Sequence, residues 1–511
     1  MLSRRRYAAL VILISVFTIL GWSGVALPAR AEGGPPNIVF VLLDDVEYTT
    51  GIDPTVMPNT LQHIAGEGAL LTRTYTQYAL CSPSRSTMLT GLYAQNTGVR
   101  RNLPPLGGFE AFQANGMHDR AISKLLQDAG YRTGMVGKFI NNYPKTAPSP
   151  NYVPPGWSYW AVTPSPTPYN YDVVENGRRI HYGSTPADYD TDVFTQKAVD
   201  FITGAADAGT PFALFLWYPA IHSPVAAAAR HADLFADRSL PRAPDFNEAN
   251  VDDKPPFLRL ASVTAAQVTY LEGQYRARLQ SLQAVDEGIE SLYQLLAARG
   301  LLENTYIVVG ADNGFHLGEH RLQTTKGFAF EESVRIPMMV RGPGVPAGRQ
   351  IGQLIGNADL APTFAAWAGL TPAVEFDGRS FAGLLTAADP ATVPWRKSLP
   401  LAKLPEAKTP VPAPWPWAPD PTKKAFYRCI GTTGKAIPEM QGILTLNNTL
   451  AYYATGDLEF YYNKRDPYQL ENRVCSGWLP DRDLMRQRAV QLANCRGNTC
   501  RKIENYPVPP P

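Results

Sequence analysis

Short apolar runs that each end on a polar loop, separated by helical patterns, fill the first three quarters of this chain and restrict its folding more than any other feature. Asn37-Ile38-Val39-Phe40-Val41-Leu42-Leu43 reads as a strand buried on both faces, and it stops at Asp44-Asp45. His118 to Gly130 places Ile122, Leu125, Leu126 and Ala129 at helical spacing with Gly130 as the stop, and Tyr131 to Val136 returns as a strand. Pro211 to Tyr218 is a third strand, Val263 to Arg299 predicts one or two long helices, and Thr305 to Val309 is a fourth strand that leads into Ala311-Asp312-Asn313-Gly314. This alternation predicts an α/β fold with a large, mostly parallel central sheet flanked by helices. Ligands of such sheets bind beyond the carboxyl ends of the strands. Asp44, Asp45, Asp312 and Asn313 all fall there.

At 511 residues with 45% hydrophobic content, the chain can bury one large core or two unequal ones. Pro144 to Pro168, rich in Pro, Tyr and Trp, reads as a long surface excursion, and the aromatic residues from Trp157 to Tyr171 suit stacking on a sugar. A second proline concentration from Asp389 to Pro421 marks a boundary near its start, which divides a catalytic domain (35–390) from a C-terminal subdomain (391–505). That subdomain is expected to be α+β: Gly442 to Leu446, Leu450 to Tyr453 and Leu458 to Tyr462 pattern as short antiparallel strands, and Asp481 to Ala493 as a helix. Residues 506–511 are expected to be a disordered tail.

Three arginines, Arg4 to Arg6, precede an apolar run from Tyr7 to Gly21 and then Ala29-Arg30-Ala31, the order of a secretory signal peptide over residues 1–31. The uninterrupted run is shorter than the roughly 20 residues of a spanning helix, so no stable membrane anchor is expected and the protein is destined for an extracytoplasmic space. Of the five cysteines, Cys81 stands far from Cys429, Cys475, Cys495 and Cys500. Four cysteines in an exported chain predict two disulfides with three connectivities open, Cys495–Cys500 being the first choice. A net charge of +2 without Lys/Arg blocks beyond the leader argues against nucleic acid as a partner.

The chemistry centres on Cys81-Ser82-Pro83-Ser84-Arg85, followed after four residues by Thr90-Gly91. This C-x-P-S-R string resembles the signature of the type I sulfatases, members of the alkaline phosphatase-like superfamily, in which the cysteine is oxidised to formylglycine. The resemblance implies a formylglycine-generating enzyme as a maturation partner and a sulfate ester as substrate. An aldehyde hydrate carries two hydroxyls on one carbon, so that one attacks sulfur and the other expels sulfate, splitting a hard step into two easier ones.

Asp44, Asp45, Asp312 and Asn313 are hard oxygen donors, which suit Ca²⁺ or Mg²⁺ rather than zinc. The resemblance implies calcium, with Cys81 itself beside the ion. A helix beginning near Pro83 would place Arg85 one turn from Cys81. Lys138, His222 and Lys326 follow strands or polar turns toward the same edge, and as a set resemble the sulfate-binding and leaving-group residues of sulfatases. Many sulfatases carry G-K-x-H where this chain has Gly137-Lys138-Phe139-Ile140. With Ile140 at that position the base must come from elsewhere: His316 is the first candidate and His320 the second.

Gly137-Lys138-Phe139-Ile140-Asn141-Asn142-Tyr143, Trp157-Ser158-Tyr159-Trp160, Asp190-Thr191-Asp192-Val193 and Asp312-Asn313-Gly314-Phe315-His316 resemble the N-acetylglucosamine-6-sulfatase branch. The expected substrate is therefore a sulfated carbohydrate such as a 6-O-sulfated N-acetylglucosamine unit. An arylsulfatase of broad range, a phosphoester or phosphonate hydrolase, and an inactive carbohydrate-binding protein on the same fold are the alternatives.

Overall fold

The computed structural model describes residues 34–145, 147–404, 438–475 and 480–508. The leader, Cys429, the side chain of Cys475 and the end of the tail lie outside the described residues.

Ten strands build the main sheet: β1 (Asn37–Leu43), β2 (Ala69–Leu71), β3 (Arg132–Gly137), β4 (Tyr159–Val162), β5 (Tyr171–Glu175), β6 (Arg178–Tyr182), β7 (Phe212–Trp217), β8 (Thr305–Ala311), β9 (Met338–Arg341) and β10 (Arg349–Ile351). Their spatial order is β10-β2-β9-β8-β1-β7-β3-β4-β5-β6. The middle five, β8-β1-β7-β3-β4, run parallel, and antiparallel pairings appear only toward the two edges. Every residue of β1, β7 and β8 is buried, which is why these runs show no polar alternation.

Register fixes the strand ends. Leu43 of β1 pairs with Ala311 of β8, and Gly137 of β3 pairs with Trp217 of β7, so the residues that follow all emerge along one edge. Gly137 has φ +103° and lies so close to the Trp217 carbonyl that a Cβ would sit 2.0 Å from its oxygen. Only glycine fits this turn out of the sheet.

Helices cover both faces. Phe364, on helix Leu360–Trp367, packs on Phe40 and Phe215, while Phe201, on helix Asp190–Asp207, packs on Phe212. Residues 212 and 215 differ by an odd number, so their side chains point to opposite faces. The long helix Ala265–Ala298 is a single element, opened by a capping box in which Thr264 and Gln267 bond reciprocally.

Two loop expectations change. Pro144 to Pro168 is not wholly a surface excursion: it contains β4, and Trp157 and Trp160 are buried, with Trp160 Nε1 donating to Tyr143 Oη at 2.9 Å and its ring against Phe139. These rings are core packing and are not available to stack on a sugar. Ile140, 2% exposed, belongs to the same core.

The proline-rich stretch after Asp389 also contributes a strand, β11 (Ser398–Lys403). It joins β12 (Met440–Thr445), β13 (Asn448–Tyr453) and β14 (Leu458–Tyr462) in a second, antiparallel sheet of order β11-β12-β13-β14. Pro400 is tolerated because β11 is an edge strand, where a missing N–H breaks no interior ladder. The helix Pro480–Ala493 and a further helix, Asn498–Glu504, complete this region, and Cys495 and Cys500 form a disulfide.

A buried ion network joins the C-terminal helix to the larger body. Arg396 donates to Asp359 at 2.5 Å and pairs with Glu504 at 3.2 Å; Glu504 also pairs with Arg379 at 2.7 Å and accepts from Tyr93. Arg396, Asp359 and Glu504 have fully buried side chains. Arg396→Ala would strand Asp359 without its cation and leave Glu504 to Arg379 alone, a loss of about 3–5 kcal/mol, seen as a lower urea midpoint.

Asp190, at the start of its helix, is 4% exposed, and burial pushes its carboxyl up to about 7. The fold favours its neutral form, so the stabilisation is complete below pH about 4 and fades as pH rises through about 7. Asp190→Asn should therefore flatten this fall in stability, with thermal midpoints of variant and parent diverging in the variant's favour between pH 5 and pH 8 by an equivalent of about 2–4 kcal/mol.

Candidate active site

Four neighbouring parallel strands deliver the site's residues. Asp44 and Asp45 follow β1, Lys138 follows β3, His222 lies five residues beyond β7, and Asp312 and Asn313 follow β8. Backbone bonds hold the edge together: Asp312 N–H donates to Leu43 O, Asp44 N–H to Ala220 O and Lys138 N–H to Trp217 O, at 2.8–3.0 Å. Asp45 turns away from the strand with φ +64°, and its N–H donates to Asp312 Oδ1 at 3.1 Å. Asx residues are among the few that accept that conformation.

The helix carrying the motif runs Cys81–Thr90 and is buried along its whole length. It starts at Cys81 itself, two residues before the expected start, since Leu80 is extended and Ser84 N–H donates to Leu80 O. Pro83 still lies in the first turn, where a missing N–H costs nothing. Gly91 closes the helix at φ +64°. One turn after Cys81, the Arg85 guanidinium reaches across the strand ends: Nε donates to Asp312 at 2.8 Å, Nη2 to Asp44 at 3.0 Å and Nη1 to the Lys138 carbonyl at 2.6 Å. Arg85, Asp44 and Asp312 all have fully buried side chains.

Cys81 Sγ sits 3.0 Å from Lys326 Nζ, 3.7 Å from Lys138 Nζ and 3.7 Å from Asp44 Oδ1. Lys138 also pairs with Asp44, and Lys326 with Asp45. Burial pushes the thiol up to about 12, with the Asp44 charge adding to the rise. An unmodified Cys81 is thus a protonated thiol at neutral pH, a poor nucleophile. Burial alone would raise the Asp44 carboxyl, but Lys138 and Arg85 outweigh it and hold that group well below the usual range.

A hard divalent cation fits this donor set. Asp44, Asp45 and Asp312 each bring an oxygen within 4.8 Å of the other two, and Asn313 Oδ1 is buried without a hydrogen-bond partner while its Nδ2 donates to Asp45 at 2.6 Å. A buried amide oxygen with no donor beside three carboxylates is suited to complete an oxygen ligand set for such an ion.

The histidines separate clearly. His222 shares a cluster with Cys81 and Asp44, with one atom of each within 4.8 Å of the others, and its Nδ1 bonds to the Ser223 carbonyl at 2.6 Å, which leaves Nε2 free of that bond. Lys138 and burial lower its pKa, so it is neutral near pH 7. His316 is instead fully buried behind the edge, with Nε2 bonded to Ser333 Oγ at 2.8 Å and its ring against Phe328 and Phe330. His320 is stacked on Phe330 with Nδ1 on Glu248 at 2.7 Å. Their hydrogen bonds run to Ser333 and Glu248, whereas His222 is the histidine that shares a cluster with Cys81 among the described residues. The D-N-G-x-H spacing hid this, because the two residues after Asn313 carry the chain off the edge into the hydrophobic region beneath Phe330.

Two residues without an assigned role in the sequence also support the nucleophile's helix. Asn102 Oδ1 accepts from Ser82 N–H at 2.9 Å, and Asn141 Oδ1 accepts from Ser82 Oγ at 3.0 Å. No motif around Asn102 marks it; Asn141 lies inside the G-K-F-I-N-N-Y string.

Comparison with known proteins agrees with this geometry. The sulfatase family model matches residues 36–370. The N-acetylglucosamine-6-sulfatase of Capra hircus is 31% identical over 494 residues, covering 94% of this chain and 87% of the relative. An extracellular sulfatase Sulf-1 homolog of Caenorhabditis elegans is 35% identical over 385 residues, and the chain spans only 53% of its length. Among solved structures, a protein in complex with its substrate D-glucosamine-2-N,6-O-disulfate superposes with a TM-score of 0.72 at 23% identity, over 92% of this chain and 99% of that one. The phosphonate monoester hydrolase of Agrobacterium radiobacter superposes with a TM-score of 0.64 at 19% identity, over 86% and 92%. The structural likenesses establish a shared fold, and its large, mostly parallel central sheet is the α/β architecture expected from the strand pattern. With the family model spanning the strands, the motif helix and the carboxylate cluster alike, the chain belongs to the sulfatase family.

Proposed function

We propose that this protein is an exported sulfatase that hydrolyses sulfate monoesters of a carbohydrate, with Cys81 matured to formylglycine and Asp44, Asp45, Asp312 and Asn313 holding Ca²⁺. The observation that carries this reading is the position of Cys81: at the first turn of a buried helix, between two lysines and beside three carboxylates, with a thiol too basic to act as it stands. Maturation by a formylglycine-generating enzyme would replace that thiol with an aldehyde hydrate, whose two hydroxyls supply attack on sulfur and then release of sulfate. The cation, when bound, supplies charge neutralisation at the sulfate oxygens.

The remaining work falls to side chains. Lys326 and Lys138 flank the Cys81 side chain and offer positive charge where the sulfate oxygens come to lie. Arg85, with its donors already committed to Asp44, Asp312 and the Lys138 carbonyl, positions the carboxylates and does not bind substrate. His222, neutral and oriented by the Ser223 carbonyl, is the group suited to exchange a proton with the leaving oxygen or with the hydrate.

Names of relatives support a 6-O-sulfated glucosamine unit as substrate and an extracellular location: N-acetylglucosamine-6-sulfatases, an extracellular sulfatase, and a fold neighbour solved with a glucosamine disulfate. No helix among the described residues is long and apolar enough to cross a membrane. Arylsulfatases also occur among the relatives, and this second reading predicts equal turnover of small aryl esters.

Cys81→Ala should lower sulfate release by about 10⁴-fold or more, and the Cys81 peptide of active enzyme, in its dehydrated aldehyde form, should weigh about 18 Da less than the thiol form. Unchanged turnover in the variant, or an unmodified thiol throughout an active preparation, contradicts the scheme. Comparing kcat/KM for N-acetylglucosamine 6-sulfate and an aryl sulfate separates the two substrate readings: a preference for the sugar supports the first, and parity or reversal supports the second.

A further inference from the structure

Behind the hairpin that leads to Lys326, folding gathers a second set of metal-ligating side chains. Asp245, His320 and Glu332 each offer one donor atom, and the three atoms lie within 4.8 Å of one another. They come from the loop ahead of helix Ala265–Ala298, from the hairpin after β8 and from the short helix Glu331–Val334. His320 Nδ1 is 2.7 Å from Glu248 Oε2, and Glu248 is ion-paired with Lys254 at 3.2 Å. That charged carboxylate takes the Nδ1 proton in a hydrogen bond and leaves the lone pair on Nε2. The ring is held flat on Phe330, centroids 3.7 Å apart.

His320 Nε2, Asp245 Oδ1 and Glu332 Oε2 are all buried without a hydrogen-bond partner, and His320 and Asp245 are each 2% exposed. An imidazole anchored to a carboxylate through one nitrogen, with the other aimed at two further carboxylates, is the arrangement of a metal-ligating histidine.

We propose that Asp245, His320 and Glu332 bind a divalent transition-metal ion, Zn²⁺ by their donor types, at a site distinct from the cation site at Asp44. One imidazole nitrogen with two carboxylate oxygens selects zinc over calcium, whereas the all-oxygen set at Asp44 does the reverse. Zinc ligands at 2.0–2.2 Å stand about 3.3 Å from one another; His320 Nε2 and Glu332 Oε2 are 3.8 Å apart. The Glu332 side chain, one-fifth exposed, has room to close that difference. A fourth position opens on a cavity of about 420 Å³ lined by Asp245, Glu332, Glu319, Tyr48 and Arg335, which admits water.

The ion would clamp the 243–248 loop to the hairpin. Backbone bonds already run along that seam, from His320 N–H to Asp245 O and from Asn247 N–H to Gly318 O, both 2.8 Å. Its role is structural, fixing the segment that ends at Lys326.

Metal uptake by the full chain tests this. The protein is stripped with a chelator, saturated with Ca²⁺ and then titrated with Zn²⁺ alone against a chromophoric competitor, with the melting temperature followed in parallel. One equivalent of Zn²⁺ should bind and raise the melting temperature. Glu332→Gln and His320→Ala should each weaken that uptake by at least about 100-fold, while Cys81→Ala, which takes the sulfur from the Asp44, Cys81 and His222 group, leaves it intact. Glu332→Gln is nearly isosteric at a partly exposed position, so it decides the matter if His320→Ala does not fold. Absence of Zn²⁺ uptake under Ca²⁺, uptake unchanged in Glu332→Gln, or uptake lost in Cys81→Ala would each overturn the proposal; in the first two cases a proton shared between Asp245 and Glu332 accounts for the cluster instead.

Discussion

Arg85 is the pivot on which the catalytic edge depends. Asp44 and Asp312 are brought side by side by the pairing of β1 with β8, and both are fully buried, so without compensation each would oppose the ionisation of the other. A single guanidinium answers both, bonds the Lys138 carbonyl with a third N–H, and lies over the Trp217 ring at 5.3 Å. It thereby links three strand ends to the helix that carries Cys81. Lysine could not do this: the fork of N–H groups is what lets one cation satisfy two carboxylates and a carbonyl in fixed directions. The four-residue spacing from Cys81 to Arg85 follows, since one helical turn is the separation that places both side chains over the same edge.

What could be read from the sequence was whatever depends on local pattern or on a fixed spacing. The buried strands announce themselves as apolar runs, and parallel pairing then forces their polar successors to one edge, so Asp44, Asp45, Lys138, His222, Asp312 and Asn313 meet as expected. What could not be read depends on long-range packing. Trp160 looks like a sugar platform until β4 pairs with β3 and closes it inside the core. Pro400 looks like a linker residue until β11 is seen to be an edge strand. His316 has the right neighbours in sequence, yet Ser333, Phe328 and Phe330, contributed from further along the chain, hold it away from Cys81. Ile140 follows the same logic, since its side chain is buried in the same core cluster as Phe139.

Charge organises the site as much as shape does. Three carboxylates, Asp44, Asp45 and Asp312, face three cations, Arg85, Lys138 and Lys326. The cluster is formally neutral, and that makes it tolerable in a buried position where an unbalanced set would cost several kcal/mol per ion. Only Arg85 is bound into the fold through several hydrogen bonds. The two lysines reach the cluster on flexible stems, each touching a carboxylate and Cys81 Sγ. A divalent cation among the carboxylates would compete for their partners, and the lysines would then hold positive charge available to an anion. On the proposed function, cation and oxyanion binding would be coupled through the same two ammonium groups.

This coupling bears on why one architecture serves several ester chemistries. On the proposed function the inner cluster would meet a tetrahedral oxyanion by charge, a recognition that does not by itself distinguish one leaving group from another. A phosphonate monoester hydrolase shares the fold at 19% identity, and a shared fold does not by itself set which ester is cleaved. In this chain the segments that surround the edge are those beyond β7, from His222 through the 243–248 loop, and the hairpin that ends at Lys326. They are set in place by long-range contacts such as His320 to Asp245 and Arg321 to Glu248, and not by the sheet. With the proposed sugar ester as substrate, the rigidity with which these segments are tied together would bear on its selection, and a substitution at the seam between them would alter substrate choice while leaving Cys81 and its carboxylates untouched.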